Sequence, residues 1–301
     1  MRISLHSCAD LLSVWHALVA ASTKRAHADP HDLDEGEEIN AMKALLLASL
    51  AGLIAAPALA ASPFDGTWIV NLGTVQAPDK PNDFLLQDGD FSCRSCAPAF
   101  TVPADGAAHA IAGNPYYDNV AIKVVDAQTI VETESKGTKV VWTYTMRVSS
   151  DGQNMTTEMI DNSAINGVPA RGTIIQARTK EAPAGAHLVS GTWHATKYEG
   201  FSDSALSLTL KLEGDKLIFS QPTGQFYAAT LGGEAVPYKG DPGITTVSVV
   251  RSGPDTIMET DMRDGKIVST NTMTTSDGKT MAMIFVDKLR NSTQKLTAIR
   301  Q

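Results

Sequence analysis

The chain repeats itself, and the repeat limits what it can fold into more than any other feature. "TIVETESKGTKVV" (residues 129–141) lines up with "TIMETDMRDGKIV" (residues 256–268) at an offset of 127. Gly113-Asn114-Pro115 matches Gly240-Asp241-Pro242 at the same offset. Ser150-Asp151-Gly152 and Met155 match Ser276-Asp277-Gly278 and Met281 at 126, and Gly66-Thr67-Trp68 matches Gly191-Thr192-Trp193 at 125. A preserved order with so little drift marks a duplication, so one architecture has to serve both halves. The expected units are residues 64–180 and 189–301, joined by a linker at 181–188 that holds Pro183 and Gly185.

Each unit reads as antiparallel β-structure. In "LSLTLKL", Leu206, Leu208, Leu210 and Leu212 take one face, and Ser207, Thr209 and Lys211 take the other. Strict alternation of this kind is the pattern of a half-buried strand. Asp151-Gly152, Asp264-Gly265 and Asp277-Gly278 supply hairpin turns, since glycine reaches the positive φ that tight turns need. The turn spacing predicts eight or nine short strands per unit. So many meandering strands must close or stack to hide their edges. The fold expected is therefore all-β, with two tandem antiparallel up-and-down barrels.

A third feature concerns export. "MKALLLASLAGLIAAPALA" (residues 42–60) has a positive start at Lys43, an apolar run over 44–56 and a small-x-small end at Ala58-Leu59-Ala60. That is the build of a secretory signal peptide, and the run is too short to span a bilayer. The segment before it is strongly acidic, which suits neither a signal n-region nor a core. Met42 is accordingly expected to be the initiator and residues 1–41 a translated leader, the alternative being a disordered extension. Beyond Ala60 the chain has 21 Lys and Arg against 26 Asp and Glu, a net charge of −5. The charge is mild and dispersed, so no nucleic-acid surface is expected, and no stable membrane insertion after signal cleavage. Only Cys93 and Cys96 remain beyond the leader. An even pair in an exported chain reads as a disulfide.

Together these residues resemble the lipocalin-like small β-barrel domains of bacterial secreted proteins. The resemblance is carried by Gly191-Thr192-Trp193, "YKGDPG" (residues 238–243), "DTIMETDMRDGK" (255–266) and "TSDGKTM" (275–281). It covers nearly all of the second unit and the later half of the first. In the lipocalin pattern the tryptophan plugs the closed barrel end and is covered by an arginine from the last strand. The resemblance thus pairs Trp68 with Arg178 and Trp193 with Arg300. Both units are short for a lipocalin, which implies a small or filled cavity.

Reactive chemistry has few candidates. "FSCRSCAP" (residues 91–98) could be a dithiol redox site. It lies among strands rather than at a helix start, which favours a structural disulfide. His109, His187 and His194 are scattered, with no metal-ligand spacing. No nucleophile elbow, phosphate loop or dinucleotide fingerprint occurs. Asp261 and Asp264 read as turn residues. Neither cofactor nor metal is expected, and no catalytic residue is assigned. Tyr116, Tyr117, Trp142, Tyr144, Phe226 and Tyr227 are the candidates to line a ligand cavity. The function expected is that of an exported periplasmic or extracellular binding protein, holding a small, mostly apolar molecule inside a barrel. The alternatives are an envelope interaction module with packed barrels, or a thiol–disulfide protein using Cys93 and Cys96.

Overall fold

The computed structural model describes residues 62–165 and 167–301. The proposed leader (1–41) and signal peptide (42–60) lie outside the described residues. The first half supplies β1 (Gly66–Gln76), β2 (Asn82–Gln87), β3 (Asp90–Cys93), β4 (Phe100–Pro103), β5 (Asp105–Ala110), β6 (Asn119–Asp126), β7 (Thr129–Lys136), β8 (Lys139–Val148), β9 (Asn154–Asp161) and β10 (Ala170–Lys180). The second supplies β11 (Gly191–Glu199), β12 (Ser207–Glu213), β13 (Lys216–Ser220), β14 (Phe226–Thr230), β15 (Val236–Pro237), β16 (Thr246–Gly253), β17 (Thr256–Arg263), β18 (Lys266–Thr274), β19 (Thr280–Asp287) and β20 (Ser292–Arg300). These strands form two antiparallel, nearly closed ten-stranded barrels.

Alternation explains the strands. Leu208 and Leu210 of β12 are buried, as is Leu206 just before it, while Lys211 is exposed. The same phase holds in β13 at Leu217 and Phe219, and in β14 at Tyr227 and Ala229. Asp264 and Gly265, between β17 and β18, both have positive φ (51° and 77°), as a type I′ hairpin requires. One barrel closes where Phe226 and Lys239 exchange backbone bonds of 3.1 and 3.0 Å and Gly232 donates to Val249 (2.8 Å).

The strand order corrects one expectation. The barrels do not coincide with the sequence repeats, because the halves exchange their first strands. One sheet runs β4-β3-β2-β11-β10-β9-β8-β7-β6-β5, and the other runs β14-β13-β12-β1-β20-β19-β18-β17-β16-β15. Residues 82–199 thus hold one whole barrel, which we call the inner barrel. The outer barrel is built from β1 and β12–β20. The physical reason lies in the connections. Neighbours in sequence that are joined by a short loop tend to pair. Strands β10 and β11 do so from Thr173↔Glu199 to Lys180↔Thr192. That pairing draws the second Gly-Thr-Trp strand into the inner barrel. Its slot in the outer barrel is filled by the equivalent strand β1, between β12 and β20.

The crossovers are pinned. Asp79, between β1 and β2, donates its N–H to the Thr293 carbonyl (3.2 Å). Its carboxylate accepts from Thr293 N (2.8 Å) and Ser292 Oγ (3.0 Å), which holds it below the usual carboxylate range. Between β11 and β12, Ser202 Oγ accepts from Arg171 N (3.1 Å). The Phe201 ring covers Gly172, where any Cβ would strike it.

The exchange also corrects the tryptophan–arginine pairing. Arg178 lies over Trp193, with its guanidinium carbon 4.1 Å from the ring centroid. Trp68 stands opposite Arg300 in the β1–β20 register. Both indoles are fully buried. Each donates to the carbonyl four residues before it, Trp68 to Phe64 and Trp193 to Val189, both at 2.8 Å. The glycine of each Gly-Thr-Trp is required as such. Gly66 and Gly191 have φ of +132° and +119°, and the side chains of Arg300 and Arg178 occupy the space of a Cβ.

Cys93 and Cys96 form a disulfide with a Cα–Cα separation of 5.5 Å. Both are buried in the inner barrel's core. Two intervening residues close so small a loop that the chain-entropy gain is about 2 kcal/mol. Cys93→Ala with Cys96→Ala should therefore lower the urea unfolding free energy by no more than about that amount. A loss of folding, or loss of a thiol–disulfide exchange activity, would give the pair a larger role.

Candidate functional site

The barrel interiors are less apolar than expected. Glu132, Glu134 and Asp161 are buried on the inner face of one barrel, and Glu259, Asp261 and Asp287 on that of the other. They occupy matching positions of the repeat. Asp261 is therefore a mid-strand interior residue of β17, not a turn residue; alternation with Ile257 turns it inward. Only Asp264 takes the turn. Each interior carboxylate sits in a cross-strand row. Glu134 faces Trp142, which faces Asp161. Asp261 faces Ser269, whose hydroxyl donates to it at 2.5 Å. Tyr227 donates to Glu259 (2.7 Å). Burial first, and then the Glu259 charge, push the Tyr227 phenol well above its usual range.

A crevice of about 250 Å³ lies beside these rows, where the mouth of the inner barrel meets loops of the outer one. Its apolar wall is Trp142 of β8 with Tyr116, Val141 and Ala164. Trp142 sits next to a register shift between β7 and β8. Tyr116 packs tilted against it (centroids 5.8 Å, 55°), and Tyr117 meets it edge-on (6.0 Å, 88°). The opposite wall comes from the second half, through Thr223, Gln225, Gly240 and Pro242.

The two copies of the Gly-Asx-Pro motif meet in this crevice. Asn114 accepts from Tyr116 N (2.9 Å), and its counterpart Asp241 accepts from Gly243 N (2.7 Å). The Tyr116 hydroxyl then donates to Asp241 (2.9 Å), tying one barrel to the other. Within the outer barrel, Gly240 lets its loop lie against the β13–β14 connection, since a Cβ there would collide with the Gly224 carbonyl. Lys136 and Lys139 stand at the rim.

Of the six aromatic candidates, Tyr116 and Trp142 line the crevice, and Tyr117 packs edge-on against Trp142. Tyr144 is buried in the row of Glu132 and Met159. Tyr227 belongs to the outer barrel's core, stacked on Phe219 (centroids 4.8 Å, 11°). Phe226 is a correction: the alternation that turns Tyr227 inward turns it outward, 39% exposed. Sequence reasoning missed Lys136, Lys139, Thr223 and Gln225. The Gly-Asx-Pro repeat was the one signal that could have pointed to this place.

No protein-family model and no curated protein matches the chain. Among solved structures, an outer membrane channel from Pseudomonas putida F1 aligns over 80% of this chain and 96% of its own, at 10% identity and a TM-score of 0.19. A likeness that low carries no argument about fold or function.

Proposed function

We propose that this is an exported binding protein that holds a small, mostly apolar molecule in the crevice between its two barrels. The observation that carries the reading is a concave, mostly apolar site, closed by segments from both halves of the duplication. Ligand sites favour clefts at such junctions and the mouths of barrels. The crevice is preferred to the barrel interiors because carboxylates in the interiors suit an apolar guest poorly. Export is supported by the apolar segment at 42–60 and by a buried disulfide, a bond typical of oxidising compartments.

Native mass spectrometry of protein purified from its own host tests the reading. A co-purifying small molecule is expected. Ala164→Leu, which narrows the crevice, should reduce its occupancy at least tenfold while leaving the far-UV circular dichroism unchanged. Bound molecules retained undiminished by that variant, or none in either protein, would sink the proposal.

A further inference from the structure

We infer that the bond between Tyr116 and Asp241 is a latch, and that the crevice admits its guest when the two barrels part there; the inference rests on the binding reading above. The walls of the crevice are nearly closed to solvent. Trp142 is 2% exposed and Tyr116 4%, and across from them Thr223 is 4% and Gln225 3% exposed. A molecule that is to touch the indole must first separate these walls.

The two copies of the Gly-Asx-Pro motif are built as jaws. Gly113 and Gly240 have nearly the same positive φ, 83° and 81°, and a proline follows each Asx residue. Each turn is held on its own side, Asn114 accepting from Tyr116 N (2.9 Å) and Asp241 from Gly243 N (2.7 Å). The bond between the jaws comes from a side chain. The Tyr116 hydroxyl donates (2.9 Å) to the same Asp241 oxygen that accepts from Gly243. Releasing that hydroxyl therefore leaves both turns intact. The release costs little, because water becomes the partner of the phenol and the carboxylate once the jaws stand apart. Next to Ala164 and Thr223 in the lining, Ile165 of the inner barrel lies against Gly224 of the outer one, so closely that a Cβ on Gly224 would strike it. The Ile165 side chain is still 65% exposed, so this second contact gains little from burial. The crossovers at 77–81 and 200–206 keep the barrels joined whatever happens at the crevice. Barrels fastened in this way can open at the latch without unfolding, as hinged domains do.

Acrylamide quenching of tryptophan fluorescence in the intact protein tests the latch. Subtracting the signal of the matching Trp142→Phe protein isolates Trp142 from the other indoles. Tyr116→Phe keeps the ring against Trp142 and removes only the latch hydroxyl. It should raise the quenching constant of Trp142 at least threefold, with an unchanged far-UV circular dichroism spectrum. Ile165→Ala should raise it too, and carries the test should Tyr116→Phe fail to fold. Ser92→Ala, which removes a hydroxyl partner of Thr101 outside the crevice, should leave it unchanged. Equal quenching of Trp142 in all of these proteins would overturn the latch and leave the binding reading to the co-purification experiment. So would an indole at Trp142 that is quenched in the unaltered protein as readily as free indole, because the walls would then never have closed. A rise in quenching with no co-purifying molecule would uphold the opening and overturn its role in binding.

Discussion

Expressed alone, residues 81–206 should unfold in urea as one cooperative unit, whereas residues 64–180 should show no cooperative transition. The longer-looking logic of the sequence repeat suggests the opposite, since 64–180 is a complete copy. Residues 81–206 contain every strand of the inner barrel, the disulfide, and the Phe201 and Ser202 contacts that hold its last crossover. Residues 64–180 lack β11 and carry β1 in its place. For β1 to fill the gap it would have to adopt the register of β11, in which Trp193 faces Asn82. Trp68 would then face Asn82. The chain would reverse near residue 75 and pair residues 69–72 with 78–81. Pro78 and Pro81 lie in that returning stretch and have no N–H to donate.

The second half has no such obstacle. Placing β11 in the register of β1, where Trp68 faces Leu208, sets Trp193 opposite Leu208 and the reversal at Gly200-Phe201. Gly200 already has a φ of +64°, and no proline lies between 193 and 208. Residues 189–301 are therefore expected to fold by reseating β11 beside β12. Circular dichroism and urea titration of the three fragments distinguish these outcomes. If 64–180 unfolds as cooperatively as 81–206, the strand exchange is not what the crossovers enforce.

That exchange also marks where the sequence stops being legible. Leu206, Leu208 and Leu210 announce a strand by alternation alone, and the turns between strands announce hairpins. Alternation tells which face a residue takes but not which sheet its strand joins. The two Gly-Thr-Trp strands are chemically interchangeable, so the choice between them depends on connection length and on Pro78 and Pro81, several residues away. The interior carboxylates were readable in principle. Glu132 and Glu134 keep phase with Ile130, and only the habit of placing acids outside hides them. The crevice was much less legible. Tyr116, Trp142, Ala164, Gln225 and Pro242 come from five separate segments, and nothing local to any one of them specifies the other four.

Trp193→Ala is expected to cost the protein roughly 3–5 kcal/mol of unfolding free energy, the range for removing a fully buried large ring. Three losses contribute. The first and largest is the buried surface of an indole with no exposure to solvent. The second is its hydrogen bond to the Val189 carbonyl (2.8 Å), worth about 1 kcal/mol net. The third is the cation–π contact with Arg178, about 0.5–2 kcal/mol. Arg178 matters beyond that contact. Its guanidinium donates to three carbonyls, those of Gly152 (2.5 Å), Ser190 (2.6 Å) and Leu188 (2.7 Å), and so ties the β10–β11 connection to the turn before β9. Burial pulls its pKa below the ordinary value. A lysine ammonium has neither the planar fork to serve three separate carbonyls nor the face to stack on an indole. Arg178→Lys should thus cost more than Arg300→Lys, because Arg300 is exposed and its guanidinium makes, among the described residues, one long bond, to the Gly278 carbonyl at 3.4 Å. Urea unfolding of the four proteins, Trp193→Ala, Trp68→Ala, Arg178→Lys and Arg300→Lys, checks the order. A Trp193→Ala cost below about 1 kcal/mol, far under the range for buried rings, would show that the indole is not the plug of its barrel. Equal costs for the two arginines would show that the carbonyl contacts of Arg178 add nothing to closure.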